Sequence, residues 1–245
     1  QSSYPLPTID TLLNRFNGAT VFSKLDLKSG YWQVPMDRES QEKSAFICEE
    51  GLYEFSRMPM GLTCGPSIFQ HLMNEVIGEN RYSFALVYLD DILIFSRTFE
   101  EHLEHLNIIL SLLQEKNLQI KPRKCEFATP STQYLGYKIS KDGIHTEEKK
   151  IETVNNFQVP TNQKNVRSFL GLINYYAKFI PNLAEIAVPL YDLTPKGKKF
   201  IWNSECQKSF EILKELLCTA PILKHPDLNK KFYLQSDASD KAIGA

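Results

Sequence analysis

Two adjacent aspartates, Asp90 and Asp91, stand inside residues 86–95, a run of ten residues that is otherwise apolar. Apolar residues on both sides are typical of buried strands. Two neighbouring carboxylates inside such a strand cost free energy unless a positive charge meets them. The pattern therefore predicts a tight hairpin that places both carboxylates at a strand end, where a divalent cation can bind. A plain turn also carries adjacent aspartates, but the apolar flanks leave no solvated face to explain this pair.

A third carboxylate, Asp26, occupies a similar position near the end of a predicted strand at residues 21–27, and the turn-forming pair Ser29-Gly30 follows it. Carboxylate oxygens are preferred ligands of Mg²⁺. Two such ions about 4 Å apart can clamp the attacking and leaving oxygens of a phosphoryl displacement. The convergence of these three carboxylates would therefore form an acidic metal site for phosphoryl transfer.

Composition sets broad limits on the class of protein. The chain has 245 residues, a net charge of −1 and 42% hydrophobic residues, values that are ordinary for a globular protein. No apolar run reaches the roughly 18 residues that span a bilayer, so we expect no membrane partner. The five cysteines show no CxxC spacing, which argues against a zinc site or a disulfide framework and favours an intracellular location. The chain begins without Met, so we expect it to be a piece of a longer protein.

Predicted strands and helices alternate along the first part of the chain, which favours an α+β sheet. Hydrophobic periodicity and capping residues predict helices that begin near Thr8, Pro66, Thr98, Thr161 and Ser204. Besides the aspartate hairpin, strands are predicted at residues 44–48, 53–58 and 134–139. After Pro160 the pattern becomes mainly helical.

Five segments, met in the expected order, resemble motifs of one protein family. Tyr88-Leu89-Asp90-Asp91 looks like the YxDD box of reverse transcriptases. The other segments resemble the first catalytic-aspartate motif, the loop and helix that follow it, the primer-grip hairpin and a thumb signature, at residues 22–33, 58–70, 134–137 and 166–176 respectively. Together these motifs make the chain similar to the reverse transcriptases of Ty3/gypsy-like LTR retrotransposons.

This resemblance implies the right-hand architecture of polymerases, with an antiparallel catalytic sheet in the palm. The expected domains are a palm with partial fingers at residues 1–140, a thumb or connection at 141–198 and the start of an RNase H-like domain at 199–245. The implied activity is RNA-directed DNA polymerisation, in which a primer 3′-OH attacks the α-phosphorus of a dNTP and pyrophosphate leaves. The implied partners are an RNA or DNA template with its primer, dNTPs, and the protease, RNase H and integrase domains of a Pol polyprotein, in a cytoplasmic particle or the nucleus.

The resemblance also implies roles for individual residues. Asp26, Asp90 and Asp91 would be catalytic and, together with Leu27, would hold two Mg²⁺ ions, which Mn²⁺ could replace. Backbone N–H groups of residues 27–30 would face the triphosphate, and the nucleotide pocket would include Lys28, Ser29, Gly30, Tyr31, Met60 and Gly61. The primer grip would comprise Tyr134, Leu135 and Gly136.

Two positions of the nucleotide pocket need comment. Tyr31 holds the position whose ring, in this family, clashes with a ribose 2′-OH and so selects deoxynucleotides. A plain core aromatic is the alternative role for Tyr31. Met60 stands where the family usually has Phe or Gln, so this sequence departs from the family pattern there.

Other polar residues have weaker implications. Residues 116–150 hold eight Lys or Arg against four Asp or Glu. With Arg167 and Lys178 they could meet template-primer phosphates, or they could form an ordinary solvated surface. His102 and His105 are three residues apart on a predicted helix, a spacing that can bind a metal. Because no third ligand is indicated, we expect an exposed helix face instead.

The tail at residues 232–239 resembles the first strand of an RNase H domain, with Asp237 as its first metal-binding carboxylate. The remaining acids are not in the chain, so we expect no RNase H activity. The chain also begins after the fingers segment that supplies Lys and Arg to the triphosphate, so we expect poor polymerisation. A catalytically impaired, transposon-derived nucleic-acid-binding fragment is therefore one alternative. An RNA-templated RNA polymerase is another, which Tyr31 as a sugar gate disfavours.

Overall fold

The structure is a computed structural model that describes residues 4–16, 18–195, 197–226, 230, 231, 233 and 236, and the backbone of 237–238 and 243–244. Within these residues the strands are β1 Val21–Asp26, β2 Phe46–Cys48, β3 Gly51–Tyr53, β4 Ala85–Tyr88, β5 Asp91–Ser96, β6 Glu126–Thr129, β7 Ser131–Tyr134, β8 Tyr137–Ser140, β9 Gly143–Thr146, β10 Asp237–Ala238 and β11 Ile243–Gly244. The α-helices are α1 Ile9–Leu13, α2 Arg38–Glu42, α3 Gly65–Ile77, α4 Phe99–Glu115, α5 Glu148–Asn155, α6 Gln163–Tyr175, α7 Leu183–Tyr191 and α8 Ser204–Cys218. Short 3₁₀ helices lie at Gly30–Gln33, Gly78–Tyr82, Pro122–Lys124 and Ala177–Phe179.

Over the same residues, none of the helices has both the length and the apolar character that a bilayer crossing demands.

The central sheet is antiparallel, with the strand order β4-β5-β1-β6. Its inner strands are buried on both faces, because alternate residues enter two separate cores. On β5, Leu93 and Phe95 join one core, whereas Ile92 and Ile94 join the other. This double burial explains why residues 86–95 are almost continuously apolar.

One face of the central sheet packs against helices α3 and α4. Phe69 and Met73 of α3 lie in the same core as Leu25 of β1. Helix α3 has Pro66 in its first turn, where the missing N–H costs no hydrogen bond. It ends at Gly78, which has a φ of 59°. The predicted helix at this position is therefore confirmed.

Helix α4 begins after Thr98, as the capping pattern predicts. Thr98 Oγ1 accepts a hydrogen bond from the Glu101 N–H at 3.2 Å. In return, Glu101 Oε2 accepts one from the Arg97 N–H at 2.7 Å. These two bonds satisfy backbone donors that the start of a helix leaves open.

The expectation that His102 and His105 lie on an exposed helix face is wrong. His102 is fully buried, with its Nε2 2.7 Å from Ser23 Oγ and its Nδ1 2.8 Å from Ser96 Oγ. His105 Nδ1 also lies 2.8 Å from Ser96 Oγ, and its ring stacks on Phe84 at a centroid separation of 3.7 Å. The two histidines therefore belong to a polar cluster that joins α4 to the central sheet.

The cause of this error is a shift in the inward face of α4. Phe99 and Leu103 are apolar residues at helical spacing, which favours an inward position, but each is 51% exposed. The buried residues of the helix are instead His102, Leu106, Ile109 and Leu113. Polar partners on two strands accommodate the buried imidazole, and a hydrophobic pattern cannot reveal such partners.

The other face of the central sheet packs against the second half of the chain. Strands β7, β8 and β9 form an antiparallel meander. Phe169 of α6 and Phe210 of α8 share one core with Phe22 and Phe95 of the central sheet. The mainly helical character predicted after Pro160 is confirmed. Helices α6 and α8 begin one residue away from the predicted caps, after Asn162 and Asn203 respectively.

The predicted strand at residues 53–58 is not formed as expected. Strand β3 ends at Tyr53 and pairs with β2 in a separate two-stranded hairpin. Residues 56–58 instead lie beside residues 34–36, through the Met36 N–H to Ser56 O bond at 3.1 Å and the Met58 N–H to Val34 O bond at 3.0 Å.

The buried imidazole predicts a pH dependence of stability. Burial, and then the neighbouring His105, lowers the pKa of His102. As the pH falls, the unfolded chain, with a His pKa near 6.5, takes up a proton before the folded chain does. The free energy of unfolding should therefore decrease between pH 7.5 and 5.5, by at most about 1.4 kcal/mol per pH unit from this residue.

Urea unfolding at several pH values measures this effect, with His102→Gln as the test variant. That variant should lose part of the pH dependence, whereas the exposed control His71→Gln should retain it. His145 and His225 also have lowered pKa values and contribute to the remaining slope. Identical slopes for wild type and His102→Gln would contradict the prediction.

Candidate active site

The two adjacent aspartates lie at the tip of a tight hairpin, as the sequence predicts. Tyr88 at the end of β4 pairs with Asp91 at the start of β5, which leaves Leu89 and Asp90 as a two-residue turn. Leu89 has a φ of 54°, a left-handed conformation that such turns require. Asp90 is exposed on the turn, whereas Asp91 stays partly buried at the strand end.

Asp26 ends the neighbouring strand and lies directly opposite Asp91 in the pairing of β1 with β5. The N–H of Leu27 donates to the carbonyl of Asp90 at 3.4 Å, which ties the turn to the residue after Asp26. The structure therefore brings the three carboxylates of two distant segments to one end of the central sheet.

Two lysines that the sequence pattern did not single out approach these carboxylates. Lys124 Nζ lies 3.4 Å from Asp26 Oδ2, and Lys24 Nζ lies 3.9 Å from Asp91 Oδ1. Lys24 precedes Asp26 by two residues on the same face of β1, so strand periodicity could have identified it. Lys124 comes from the basic segment, and no local pattern relates it to Asp26.

The charges at this end of the sheet are only partly balanced. Burial raises the pKa of the Asp91 carboxyl, and the charges of Asp90 and Asp26 raise it further. Lys24 and Lys124 lower it. A carboxylate that is partly buried beside two others is a favourable place for a cation.

The donor set fits a hard divalent cation, because three carboxylates supply the oxygen ligands that Mg²⁺ and Mn²⁺ prefer. Leu27 has a buried side chain, so only its backbone could serve a metal. Within the part of the chain that the structure describes, no three His, Cys, Asp or Glu side chains are gathered closely enough to hold an ion. Because two of the carboxylates lie beside lysines, gathering them around a cation requires Lys24 and Lys124 to withdraw.

The backbone after Asp26 is largely committed to internal hydrogen bonds. The N–H of Leu27 donates to Asp90 O, and that of Lys28 donates to Gln119 O at 2.9 Å. Contrary to the expectation, these two N–H groups therefore do not face a ligand. The side chain of Lys28 is exposed and remains available for one.

Ser29 and Gly30 form a turn that packs closely against the hairpin of Asp90 and Asp91. Ser29 has a φ of 52° and is exposed, and Gly30 is buried. A Cβ atom at Gly30 would lie 2.8 Å from Phe69 Cζ and 3.3 Å from Asp90 Cβ. The close approach of the turn to Asp90 therefore requires glycine at this position.

Tyr31 lies between the hairpin and helix α3. Its ring packs on Phe69 with a centroid separation of 5.1 Å. Burial, and then the charge of Asp90, raises the pKa of the Tyr31 hydroxyl. The ring is only partly buried, so Tyr31 borders the carboxylates and is not a fully enclosed core residue.

Met60 and Gly61 lie on a surface loop that leads into helix α3. Met60 is 74% exposed, and Gly61 is exposed with a φ of 96°. The preceding residues lie beside residues 34–36, which follow the 3₁₀ helix of Tyr31. Within the described residues no hydrogen bond or ion pair joins Met60 or Gly61 to the carboxylates.

Gln70 binds the backbone at the turn of Leu89 and Asp90 and was not assigned a role from the sequence. It is fully buried on α3. Its Oε1 accepts a hydrogen bond from the N–H of Leu89 at 2.8 Å, and its Nε2 donates to the carbonyl of Val87 at 3.1 Å. The same amide therefore holds the β4 side of the turn that carries Asp90. A buried glutamine in a helix gives no sequence signal for this contact.

The predicted primer-grip residues form the turn between β7 and β8. Leu135 and Gly136 have φ values of 48° and 73°, which give a two-residue hairpin. Tyr134 is fully buried, and within the described residues its hydroxyl has no hydrogen-bond partner. Burial raises its pKa well above the ordinary value, and the charge of Asp91 adds to the effect. Tyr134 therefore lies within electrostatic range of Asp91.

The end of helix α6 holds this second hairpin. The hydroxyl of Tyr175 donates to the carbonyl of Leu135, and that of Tyr176 donates to the carbonyl of Gly136 at 2.7 Å. The hydroxyl of Tyr137 donates in turn to the carbonyl of Tyr175 at 2.8 Å. Three tyrosines thus join the thumb-signature helix to the predicted primer grip.

Two further predicted residues make their contacts elsewhere in the chain. Arg167 donates to the carbonyl of Thr194, and Lys178 pairs with Asp10 at 3.2 Å. Their charged groups are therefore engaged within the chain. Asp237 lies in strand β10, but its side chain is outside the described residues, and so is the prediction made for it.

Transposon polyproteins are similar to this sequence over nearly its whole length. The chain is 39% identical to the transposon Tf2-3 polyprotein of Schizosaccharomyces pombe over 242 residues, and 38% identical to the Tf2-7 polyprotein. Each match covers 99% of this chain but 18% of the polyprotein. The chain therefore corresponds to less than a fifth of these relatives. The predicted relation to retrotransposon polyproteins is confirmed.

Solved structures agree with this relation. The foamy viral protease–reverse transcriptase in complex with double-stranded DNA superimposes with a TM-score of 0.83 and 28% identity, over 91% of this chain and 40% of that one. The same viral protein in complex with an RNA/DNA hybrid gives a TM-score of 0.82 and 27% identity, over 91% and 31% respectively. The predicted α+β, right-hand polymerase architecture is confirmed.

Two family models match separate parts of the chain. Residues 202–245 match the RNase H-like domain found in reverse transcriptase. Residues 1–139 match the reverse transcriptase (RNA-dependent DNA polymerase) model. This range includes Asp90 and Asp91 of the hairpin and the strand that ends at Asp26. Because this second match spans more than half of the sequence, the chain belongs to the reverse transcriptase (RNA-dependent DNA polymerase) family.

Proposed function

We propose that this chain is the polymerase part of a transposon polyprotein and adds dNTPs to a primer 3′-OH on an RNA or DNA template. The observation that carries this proposal is the pairing of Asp26 with Asp91 across two strands, with Asp90 in the adjoining turn. Because the chain belongs to the reverse transcriptase family, we interpret these three carboxylates as the metal-binding residues of the polymerase reaction. The retained carboxylates favour this function over the alternative of a catalytically impaired nucleic-acid-binding fragment.

The three aspartates are proposed to hold two Mg²⁺ ions, with the backbone of Leu27 nearby, and Mn²⁺ is an acceptable substitute. Bound Mg²⁺ would supply charge neutralisation for the attacking and leaving oxygens. The chain itself contributes position, because the strand register fixes Asp26 against Asp91. Lys24 and Lys124 neutralise these carboxylates where no metal does, and their flexible side chains can turn to phosphate oxygens instead.

The nucleotide is proposed to lie beside the turn of Lys28, Ser29 and Gly30, with Tyr31 under its sugar. Gly30 allows close approach because it has no side chain. The exposed side chain of Lys28 is available to a phosphate, and Met60 and Gly61 would border the base from the facing loop. The partly buried ring of Tyr31 beside Asp90 supports its role as the sugar gate.

Duplex binding is proposed from the foamy viral structures, which are complexes with double-stranded DNA and with an RNA/DNA hybrid. The turn of Tyr134, Leu135 and Gly136 would then contact the primer strand near its 3′ end. The effect of Asp91 on the Tyr134 hydroxyl supports this placement, because it locates the hairpin beside the carboxylates.

The wider setting is also a proposal. The domain boundaries remain those expected, with the palm at 1–140, the thumb or connection at 141–198 and the RNase H-like part at 199–245. Protease, RNase H and integrase domains of the same polyprotein would be the protein partners. We place the activity inside the cell, in a cytoplasmic particle or the nucleus.

Replacement of Asp91 by Asn should lower primer extension by about 100-fold or more, because several kcal/mol of charge stabilisation depend on the metal it helps to hold. The measurement is extension of a DNA primer on an RNA template with dNTPs and Mg²⁺. Binding of Mn²⁺, followed by electron paramagnetic resonance, should weaken in parallel and needs no activity.

The matched control is Asp142→Asn, a carboxylate removed from an exposed turn, which should leave both measurements unchanged. Equal extension by wild type and Asp91→Asn would overturn the metal assignment. Metal binding without any extension by the wild type would overturn the proposed activity for this chain while leaving the metal site intact.

Replacement of Tyr31 by Ala should reduce the preference for dNTPs over rNTPs by about tenfold or more, because a steric gate acts through the volume of its ring. The measurement is the ratio of kcat/KM for the two nucleotide types. Trp32→Ala is the control, since that neighbouring ring packs against Phe55 instead. An unchanged ratio for Tyr31→Ala, with activity retained, would assign Tyr31 to packing alone.

A further inference from the structure

A second concave site lies behind the catalytic hairpin. It is a cavity of about 240 Å³ between residues 4–7, helix α1 and the end of helix α3. Its apolar wall includes Leu86 and Val87 of β4, the strand that leads to the catalytic turn. Its polar lining comprises Tyr4, Arg15, Asn74, Arg81 and Tyr82.

Two guanidinium groups share this cavity and flank one aromatic ring. The Cζ atom of Arg81 lies 4.6 Å from the centroid of the Tyr82 ring, and that of Arg15 lies 5.6 Å from it. Arg15 Nη1 donates to the carbonyl of Arg81 at 2.8 Å, so the two residues are in direct contact. Contacts within the chain therefore hold both guanidinium groups beside the same ring.

The described residues supply no carboxylate within 4.0 Å of either guanidinium. Arg81 donates only to the carbonyl of Asn74 and to the hydroxyl of Tyr82, at 2.6 and 2.7 Å. The charge of Glu79 reaches Arg81 without forming an ion pair. Since each arginine has five N–H donors, most of those in the cavity are available to a ligand.

A chain of hydrogen bonds joins this cavity to the catalytic turn. Asn74 Nδ2 donates to the hydroxyl of Tyr4 at 2.9 Å, and Asn74 Oδ1 accepts from Gln70 Nε2 at 3.0 Å. The same Gln70 accepts from the N–H of Leu89 at 2.8 Å. Gln70 is fully buried, so solvent cannot replace its bonds to Asn74 and Leu89.

We propose that this cavity binds a small organic anion, a phosphate or carboxylate on an aromatic or apolar body, and that Asn74 and Gln70 transmit its binding to the turn of Asp90. The two arginines match the anionic group, and the apolar wall matches the body. The volume is below the roughly 300–1,000 Å³ of pockets for drug-sized ligands, which limits the ligand to about one ring. Any effect on primer extension rests on the proposed function, whereas binding does not.

The test is a titration of the metal-free chain with phenyl phosphate, in the presence of EDTA, followed by NMR. The Nε–H resonances of Arg15 and Arg81 and the backbone N–H of Leu89 should shift together. Arg15→Gln should weaken binding by about tenfold, the loss expected for a charge-assisted hydrogen bond. Arg38→Gln, an exposed arginine of α2, is the matched control and should bind like the wild type.

Further arms separate the parts of the proposal. Benzoate tests whether a carboxylate suffices, and benzyl alcohol, which is neutral, should not bind. Arg15→Lys keeps the charge and should bind better than Arg15→Gln, and thermal unfolding checks that both variants remain folded. No shift at either arginine in the wild type, or equal affinity of the wild type and Arg15→Gln, would overturn the anion site. Asn74→Ala should bind while leaving Leu89 unshifted, and a retained Leu89 shift would overturn the transmission.

Discussion

The placement of Asp26 directly opposite Asp91 is the constraint on which the rest of the site depends. Like charges that face each other on adjacent strands destabilise a sheet, so nothing local favours this pair. The apolar residues of the same strands enforce it. A slip of one residue between β1 and β5 would exchange the residues that enter the two cores, and Phe22 and Leu25 would each face the wrong one. The hydrophobic register therefore holds two anions together.

The surrounding polar groups manage the cost of that register. Lys24 and Lys124 approach Asp91 and Asp26 at 3.9 and 3.4 Å, distances that give weak, solvent-screened pairs rather than tight ones. Such weak pairs are compatible with the proposed metal site, because a loosely held lysine can turn away from the carboxylates. Gln70 acts differently, since its buried amide bonds hold the turn rigidly from below. The site thus combines exchangeable charges with a fixed backbone.

The sequence predicts those features that strand periodicity and turn chemistry decide. The hairpin at Asp90 and Asp91 and the strand end at Asp26 follow from apolar runs that polar residues interrupt, and both are confirmed. His102 was misjudged, because its burial depends on polar partners on two strands: Ser96, just before the helix, and Ser23, which lies far away in sequence. The contact of Lys124 with Asp26 depends on the path of residues 116–125 across the sheet. The N–H groups of Leu27 and Lys28 were misjudged for the same reason, since their acceptors come from other segments.

The second hairpin contacts the thumb-signature helix and also interacts with the aspartate hairpin. Asp91 acts electrostatically on Tyr134, which leads into the second hairpin. The carbonyls of Leu135 and Gly136 in that hairpin accept hydrogen bonds from the tyrosines at the end of α6. A rotation of α6 must therefore break these bonds or carry the hairpin with it. If the hairpin moves with the helix, Tyr134 moves too, and its electrostatic interaction with Asp91 changes.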